Sequence, residues 1–103
     1  MKSKMILMVL KVNPQAKTDI QEQINYYNNK QKGLGKRFYD DVNHTFRTIK
    51  NNPFYQIRYK NVRCIPLKTF PAMVHFTLDE PENHIIIRAV FHTSQDSQKW
   101  NKR

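Results

Sequence analysis

Basic and histidine side chains are the residues of this chain whose types best suit chemistry. The 103 residues contain 18 Lys and Arg against 8 Asp and Glu, together with four His, and the formal net charge is +10. Without any cofactor, such side chains can supply a proton acceptor, a proton donor and fixed positive charge, which is what cleavage of RNA by its own 2′-hydroxyl requires. The composition therefore favours anionic or acidic partners and permits metal-free RNA cleavage.

The cations are concentrated in one stretch of the chain. No acid lies between Asp41 and Asp79, whereas six basic residues do: Arg47, Lys50, Arg58, Lys60, Arg63 and Lys68. Arg58 and Lys60 share one face of a strand, opposite Ile57 and Tyr59, and Arg63 joins them if a turn at Asn61 keeps the register. We predict that Arg58, Lys60, Arg63 and Lys68 bind a target or a nucleic acid. The alternative is that they are ordinary solvated residues.

The histidines do not show a metal-binding pattern. His44, His75, His84 and His92 lack a short His-x-x-x-His spacing, and Cys64 has no second cysteine to act with. We therefore expect no metal and no small-molecule cofactor. His75 and His92 lie in or at the end of an apolar strand, where an imidazole can titrate near neutral pH, so they are the candidates for proton transfer. A structural histidine is the alternative for each.

The chain length predicts a single domain over residues 1–103. The apolar run at residues 5–10 is too short to span a bilayer and is predicted to be a buried strand, so no membrane association is expected. A lone cysteine gives no internal disulfide and no argument for an oxidising compartment. We predict a cytoplasmic protein.

Two helices must follow the first strand. Asn13-Pro14 is a typical helix start, and apolar residues then recur at helical spacing until Gly33, which we expect to end the first helix. A second helix is predicted from about residue 34 until Asn51-Asn52-Pro53. The two apolar stripes comprise Ala16, Ile20, Ile24 and Tyr27, and then Leu34, Phe38, Val42, Phe46 and Ile49.

From residue 54 the apolar period changes to two, which is typical of strands. The predicted order is β-α-α-β-β-β, an α+β fold in which a helical hairpin packs on one face of a small, mostly antiparallel four-stranded sheet. A chain this short can cover only one face with helices. We therefore expect the opposite face to be partly open and to hold the function.

Several local strings, in this order and spacing, resemble the RelE/ParE superfamily of toxins from bacterial type II toxin-antitoxin systems. They are Ala16-x-x-Asp19-Ile20, Tyr26-Tyr27, Leu34-Gly35-x-Arg37-Phe38-x-x-Asp41-Val42, Asn52-Pro53, Arg58-Tyr59-x-x-Val62-Arg63, Phe70-Pro71-x-Met73-Val74-His75-Phe76, Ala89-Val90-Phe91-His92-Thr93-Ser94, and Trp100. The resemblance spans nearly the whole chain.

The resemblance implies a small toxin of a plasmid-stabilisation module, which arrests growth and is neutralised in the cytoplasm by a cognate antitoxin. Antitoxins are commonly acidic, and a basic toxin would attract them electrostatically. The superfamily has two branches. RelE-like members cleave mRNA on the ribosome, and ParE-like members inhibit DNA gyrase without a known hydrolytic step.

The nuclease pattern of the RelE-like branch is only partly present. Arg63 and Lys68 match basic positions, but Ala72 and Gln95 stand where relatives carry basic residues, and Trp100 stands near an expected Tyr. As a nuclease the chain would depend on His92, Arg63, Lys68 and His75. We favour the ParE-like branch, with Arg58, Lys60, Arg63, Lys68 and Trp100 as target-binding residues. The alternatives are a RelE-like endoribonuclease and a non-toxic basic nucleic-acid-binding module.

Overall fold

A computed structural model describes residues 8–95 of the chain. Its elements are β1 (Val9–Val12), α1 (Pro14–Lys30), α2 (Leu34–Asn51), β2 (Ile57–Tyr59), β3 (Val62–Pro66), β4 (Ala72–Asp79) and β5 (His84–His92). They form one sheet in the order β1-β5-β4-β3-β2, in which only the β1–β5 pair is parallel. The α+β class, the helical hairpin and the mostly antiparallel sheet are confirmed.

The sheet has five strands, and the prediction of four is wrong. The extra strand arises because the chain reverses direction between Tyr59 and Val62, which pair across a two-residue turn. Lys60 takes up the left-handed backbone conformation that this turn requires, with φ of 50°. Turns of this kind usually carry Gly or Asn at the first position, so a lysine there gives little sequence signal.

The two helices begin and end close to the predicted residues. Pro14 opens α1, and α2 ends at Asn51 before Pro53. Gly33 has the expected left-handed φ of 86°, but it caps the start of α2, since α1 already ends at Lys30. Of residues 5–10, predicted as the first strand, residues 5–7 lie outside the described residues, and β1 runs from Val9 to Val12.

The helices approach each other closely at Gly35. A Cβ atom at this position would lie 2.6 Å from the backbone oxygen of Ile24, so only glycine fits. The Gly35 backbone N–H also donates to the Asn28 side-chain oxygen at 2.8 Å. This contact fixes where α2 crosses α1, and both predicted apolar stripes then face the sheet. The core joins Ala16, Ile20, Tyr27, Phe38, Val42 and Ile49 to Leu67, Ala72, Val74, Phe76, Ile85, Ile87 and Val90.

Asp41 ties α2 to the connection between β3 and β4. Its carboxylate is buried and accepts hydrogen bonds from the backbone N–H groups of Lys68, Thr69 and Phe70, at 3.2, 2.8 and 2.8 Å. Three donors satisfy most of the carboxylate's lone pairs, which is how a buried acid is tolerated.

Among the described helices, none is long and apolar enough to cross a membrane.

Candidate functional surface

The sheet face opposite the helices is buried at its centre, whereas Val9, Lys11 and Pro66 at its margins are exposed, so the face is partly open as expected. His75 is fully buried there, and Cys64, its direct neighbour on β3, is 8% exposed. Phe91 and Thr77 on the same face are also buried. The rings of Tyr59 and Phe91 contact the imidazole edge-on, with centroids 5.8 and 5.1 Å away. These two rings thus pack against the polar residue at the centre of this face.

Tyr59, His75 and Cys64 form a hydrogen-bonded cluster at the centre of this face. The Nδ1 atom of His75 lies 2.9 Å from the Tyr59 hydroxyl and 3.3 Å from the Cys64 sulfur. Burial raises the pKa of the Cys64 thiol to about 11, and the positive charge of Arg58 opposes this only in part. The thiol is therefore protonated at neutral pH, so it is a hydrogen-bond donor and not a nucleophile.

Two polar side chains meet the same nitrogen of the histidine. The Tyr59 hydroxyl and the Cys64 sulfur are both within hydrogen-bond distance of Nδ1, and which group donates depends on the imidazole tautomer. Because His75 is fully buried, a substrate cannot reach it. His75 can influence a partner only through Tyr59, which is half-buried and whose hydroxyl it orients. The sequence places Tyr59 in a strand, but the contact depends on a strand register that the sequence does not reveal.

The predicted basic residues are not gathered on one surface. Arg58 and Lys60 are exposed on β2 and its turn. Arg63 pairs with the core residue Phe76, and its Nε donates to the backbone oxygen of Tyr55 at 2.6 Å. Arg63 is therefore on the helix side of the sheet. An irregularity in β2 also places Ile57 and Tyr59, which were expected to share a face, on opposite faces.

Lys68 and His92 lie in two further places. Lys68 is exposed beside α2, in a cleft of about 170 Å³ that it shares with His44 and Thr48. His92 ends β5 and is paired with the helix-facing Ala72, on the opposite face from His75. Its Nδ1 is 2.7 Å from the Ser94 hydroxyl.

His92 lines a second cleft, which is larger than the one beside Lys68. The cleft has a volume of about 380 Å³ and lies between α1 and the end of β5, where the carboxylates of Asp19 and Glu22 line it. Two acids disfavour a phosphate next to this imidazole. Arg63, Lys68 and His92 thus lie on the helix side of the sheet in different surroundings, and His75 is buried on the opposite face. Trp100 lies outside the described residues.

No metal site is formed in the described part of the chain. Within residues 8–95, no three His, Cys, Asp or Glu side chains are grouped so that they could hold an ion. The cluster around His75 contributes only one histidine and one cysteine of this set.

Known proteins of the same shape are bacterial toxins and their complexes. The chromosomal ParDE toxin-antitoxin system from P. aeruginosa superposes with a TM-score of 0.76 at 15% identity, covering 85% of this chain and 98% of that one. The intact E. coli RelBE toxin-antitoxin complex gives 0.65 at 10% identity, covering 85% and 99%. The isolated E. coli RelE toxin gives 0.63 at 8% identity, covering 92% and 94%.

At these identities the structural likeness establishes the fold alone. A search of curated proteins found no significant sequence match. A family model does match it: the model that describes the ParE toxin of the type II toxin-antitoxin system parDE aligns with residues 10–97. Since that alignment covers most of the chain, the protein belongs to the ParE family of type II toxin-antitoxin toxins.

Proposed function

We propose that this toxin arrests growth by inhibiting DNA gyrase and that it does not cleave RNA. The observation that carries the proposal is the separation of the four nuclease candidates. His75 is fully buried, and Arg63 is engaged with the Tyr55 backbone. His92 lies on the other face of the sheet, beside two acids.

RNA cleavage needs these groups at one point. The phosphorane transition state carries charge on several oxygens, and donors stabilise it only when they are already aimed at those oxygens. A proton acceptor must also lie within hydrogen-bond reach of the 2′-hydroxyl. His75 is buried on the face opposite Arg63 and His92, and Arg63 already donates to a backbone oxygen, so these groups cannot meet both conditions on one phosphate. The geometry therefore favours a toxin that acts by binding.

The binding surface is proposed to centre on β2. Arg58 and Lys60 are exposed there, and Tyr59 presents a hydroxyl whose direction is fixed by His75. Lys68 and Trp100 are proposed as additional target contacts outside this centre. A cognate antitoxin is proposed to neutralise the toxin, and its acidic character would complement the charge of +10. The similar ParDE and RelBE structures contain toxin-antitoxin systems, which supports such a partner.

The test combines expression with two purified assays. Induced expression in a bacterial host should stop growth, and co-expression of the neighbouring antitoxin gene should restore it. The purified protein should inhibit supercoiling by gyrase in a dose-dependent way, and it should leave mRNA intact in a translating extract. Cut mRNA together with unaffected supercoiling would replace this proposal by a RelE-like ribonuclease. Steeply salt-dependent nucleic-acid binding without growth arrest would indicate the non-toxic module.

A further inference from the structure

The centre of the sheet face opposite the helices is much more deeply buried than its margins. Phe91 is 3% exposed, whereas Val9, on the same face of β1, is 53% exposed. Neighbours within a sheet lie beside a side chain and not above it, so a ring as deeply buried as Phe91 needs a layer over it. We name the buried centre the covered patch, and its residues on β3, β4 and β5 are Val62, Cys64, His75, Thr77, Ala89 and Phe91.

Within residues 8–95, the segments that pack on the sheet lie on its other face. The two helices bury the core there. Of the connections, Tyr55 contacts the ring of Phe76, and Phe70 contacts the ring of Phe38, and both partners are core residues on the helix side. The covered patch is buried within a single copy of the chain. Two segments can therefore supply its layer, residues 1–7 and residues 96–103.

The N-terminal segment starts too far from the covered patch. It precedes Met8, and Val9 pairs with His84 at the start of β5. Phe91 lies seven residues beyond His84 on this strand, which is a distance of about 23 Å. Residues 1–7 would have to be fully extended to reach it. They would also have to leave Val9 exposed on the way.

The C-terminal segment starts beside the covered patch. β5 ends at His92, and the Thr93 N–H donates to the Pro71 carbonyl oxygen at 2.9 Å. The Gln95 N–H donates back to the His92 carbonyl oxygen at 3.0 Å, so the chain is still at the end of β5. From β5 to β2 is three strand spacings, or about 14 Å, and the next five residues span about 17 Å. Residue 100 can therefore reach every part of the patch.

We propose that residues 96–103 lie across the covered patch and that Trp100 packs on His75 and Phe91. Trp100 is the one tryptophan of the chain and the only large apolar side chain of this segment. Indole rings pack edge-on or offset against other rings, which suits a patch that already holds aromatic side chains. The other side chains of the segment are polar and remain in solvent.

A second location within reach of residue 95 fits less well. The cleft between α1 and the end of β5 is lined by Asp19, Glu22 and Tyr26 and is open, with a volume of about 380 Å³. The covered patch, by contrast, is closed to solvent. An indole ring gains most free energy where it is removed from water, so the patch is the better site for Trp100.

The segment determines what a partner meets on this face. It shields the Cys64 thiol from reagents in solution, and a partner reaches the Tyr59 hydroxyl only beside residues 96–103. This intramolecular docking goes beyond the proposed function, and it does not depend on which target the toxin has.

The single cysteine of the chain reports on the cover. The reaction of Cys64 with a chromogenic aromatic disulfide is followed on the purified full chain. Trp100→Ala should speed this reaction at least about tenfold, because uncovering the patch exposes the thiol and lowers its pKa. Trp100→Phe keeps an aromatic ring and should stay within about threefold of the unchanged chain. The matched control is Lys99→Ala, next to it in the same segment, which should change the rate by less than about twofold.

The single tryptophan reports on the position of the segment. Trp100 should emit at a shorter wavelength in the native chain than in urea, and iodide should quench it less. Phe91→Leu should move the native emission to longer wavelength, because it removes a ring on which the indole packs. Tyr26→Ala, in the cleft beside α1, should not. Thermal melts check that every variant is folded.

Three results would overturn the proposal. Unchanged reactivity of Cys64 in folded Trp100→Ala would mean that the tryptophan does not cover the patch. An equal increase with Ile6→Ala would assign the cover to the N-terminal segment. An emission shift with Tyr26→Ala but not with Phe91→Leu would place the C-terminal segment in the cleft. Neither readout uses a target, so a failed gyrase assay would count against the proposed function alone.

Discussion

The two sides of the sheet each bury a titratable side chain, and they do so in different ways. On the helix side, Asp41 accepts hydrogen bonds from three backbone N–H groups in the β3–β4 connection. On the opposite side, His75 is bonded to two side chains, those of Tyr59 and Cys64. A group that holds backbone supports the fold, whereas a group that holds side chains can orient one of them for a partner. We therefore expect changes on the helix side to alter mainly stability and changes on the opposite side to alter the proposed recognition.

The largest effect on stability is expected from Asp41→Ala. Each hydrogen bond to a charged group contributes about 1.5–3 kcal/mol, and three backbone donors would lose their acceptor, so the free energy of unfolding should fall by about 4 kcal/mol. Urea unfolding measures it. The matched control is Asp40→Ala, because Asp40 is exposed and makes an i,i+4 ion pair with Lys36, which should cost less than about 0.5 kcal/mol. Equal losses for the two variants would remove the basis for the stability side of the comparison.

A second test on the helix side is Gly35→Ala. The added Cβ would lie 2.6 Å from a backbone oxygen of α1, so the helices must move apart, and overpacking of this kind costs about 1–3 kcal/mol. Gly33→Ala is the control: nothing lies within 4 Å of the added atom, and only its left-handed backbone is strained, which costs about 1 kcal/mol. If Gly33→Ala proves the more damaging in thermal melts, the close helix crossing is not what positions α2.

The pH dependence of stability tests the opposite side. Burial raises the pKa of Cys64 to about 11, so the unfolded thiol ionises first as the pH rises. The folded state then binds more protons than the unfolded state, and stability falls as the pH passes from the ordinary thiol value towards 11. The loss should amount to about 2 kcal/mol. The difference between this chain and Cys64→Ala, measured by urea unfolding from pH 8 to 10.5, isolates the effect, and an unchanged difference would contradict it.

The helices could be predicted from the sequence because their signals are local. Pro14, the apolar spacings and Asn52-Pro53 mark starts, faces and ends within a few residues of one another, and the structure places them accordingly. The strand pairings are different, since a single extra residue reverses every side chain after it. Arg88 is such a residue in β5, because His75 and Phe76 pair with residues 89 and 87 on either side of it.

The contacts of His75 could not be predicted, for the same reason. Its contacts join residues 11 and 16 positions apart along the chain, from Cys64 to His75 and from Tyr59 to His75. They exist only if the β2–β3 turn has two residues and β3 has one particular register on β4. The local spacing of residues determines neither the turn length nor the register. Lys60 adopts a left-handed conformation in this turn, where a lysine is not a recognisable turn residue. The basic residues do follow one another in the sequence without an intervening acid. This pattern does not predict on which face of the sheet Arg63 and Lys68 lie.

The smallest effect on stability, and the most informative for recognition, is expected from Tyr59→Phe. Losing one neutral hydrogen bond costs about 1 kcal/mol. The remaining Cys64 S–H can still donate to His75, which limits the loss. If His75 orients the Tyr59 hydroxyl for the target, growth arrest and gyrase inhibition should fall by more than this change in stability explains. Tyr39→Phe, an exposed hydroxyl on α2, is the control and should alter neither.

A combined variant decides whether the effect passes through the histidine. Removing the hydroxyl and replacing His75 by Gln should cost inhibition no more than the larger single change, because both act through one contact and their free energies are then not additive. Additive losses would mean that Tyr59 meets the target independently of His75. In that case the opposite side of the sheet would be structural, like the helix side, and recognition would rest on the exposed cations Arg58 and Lys60.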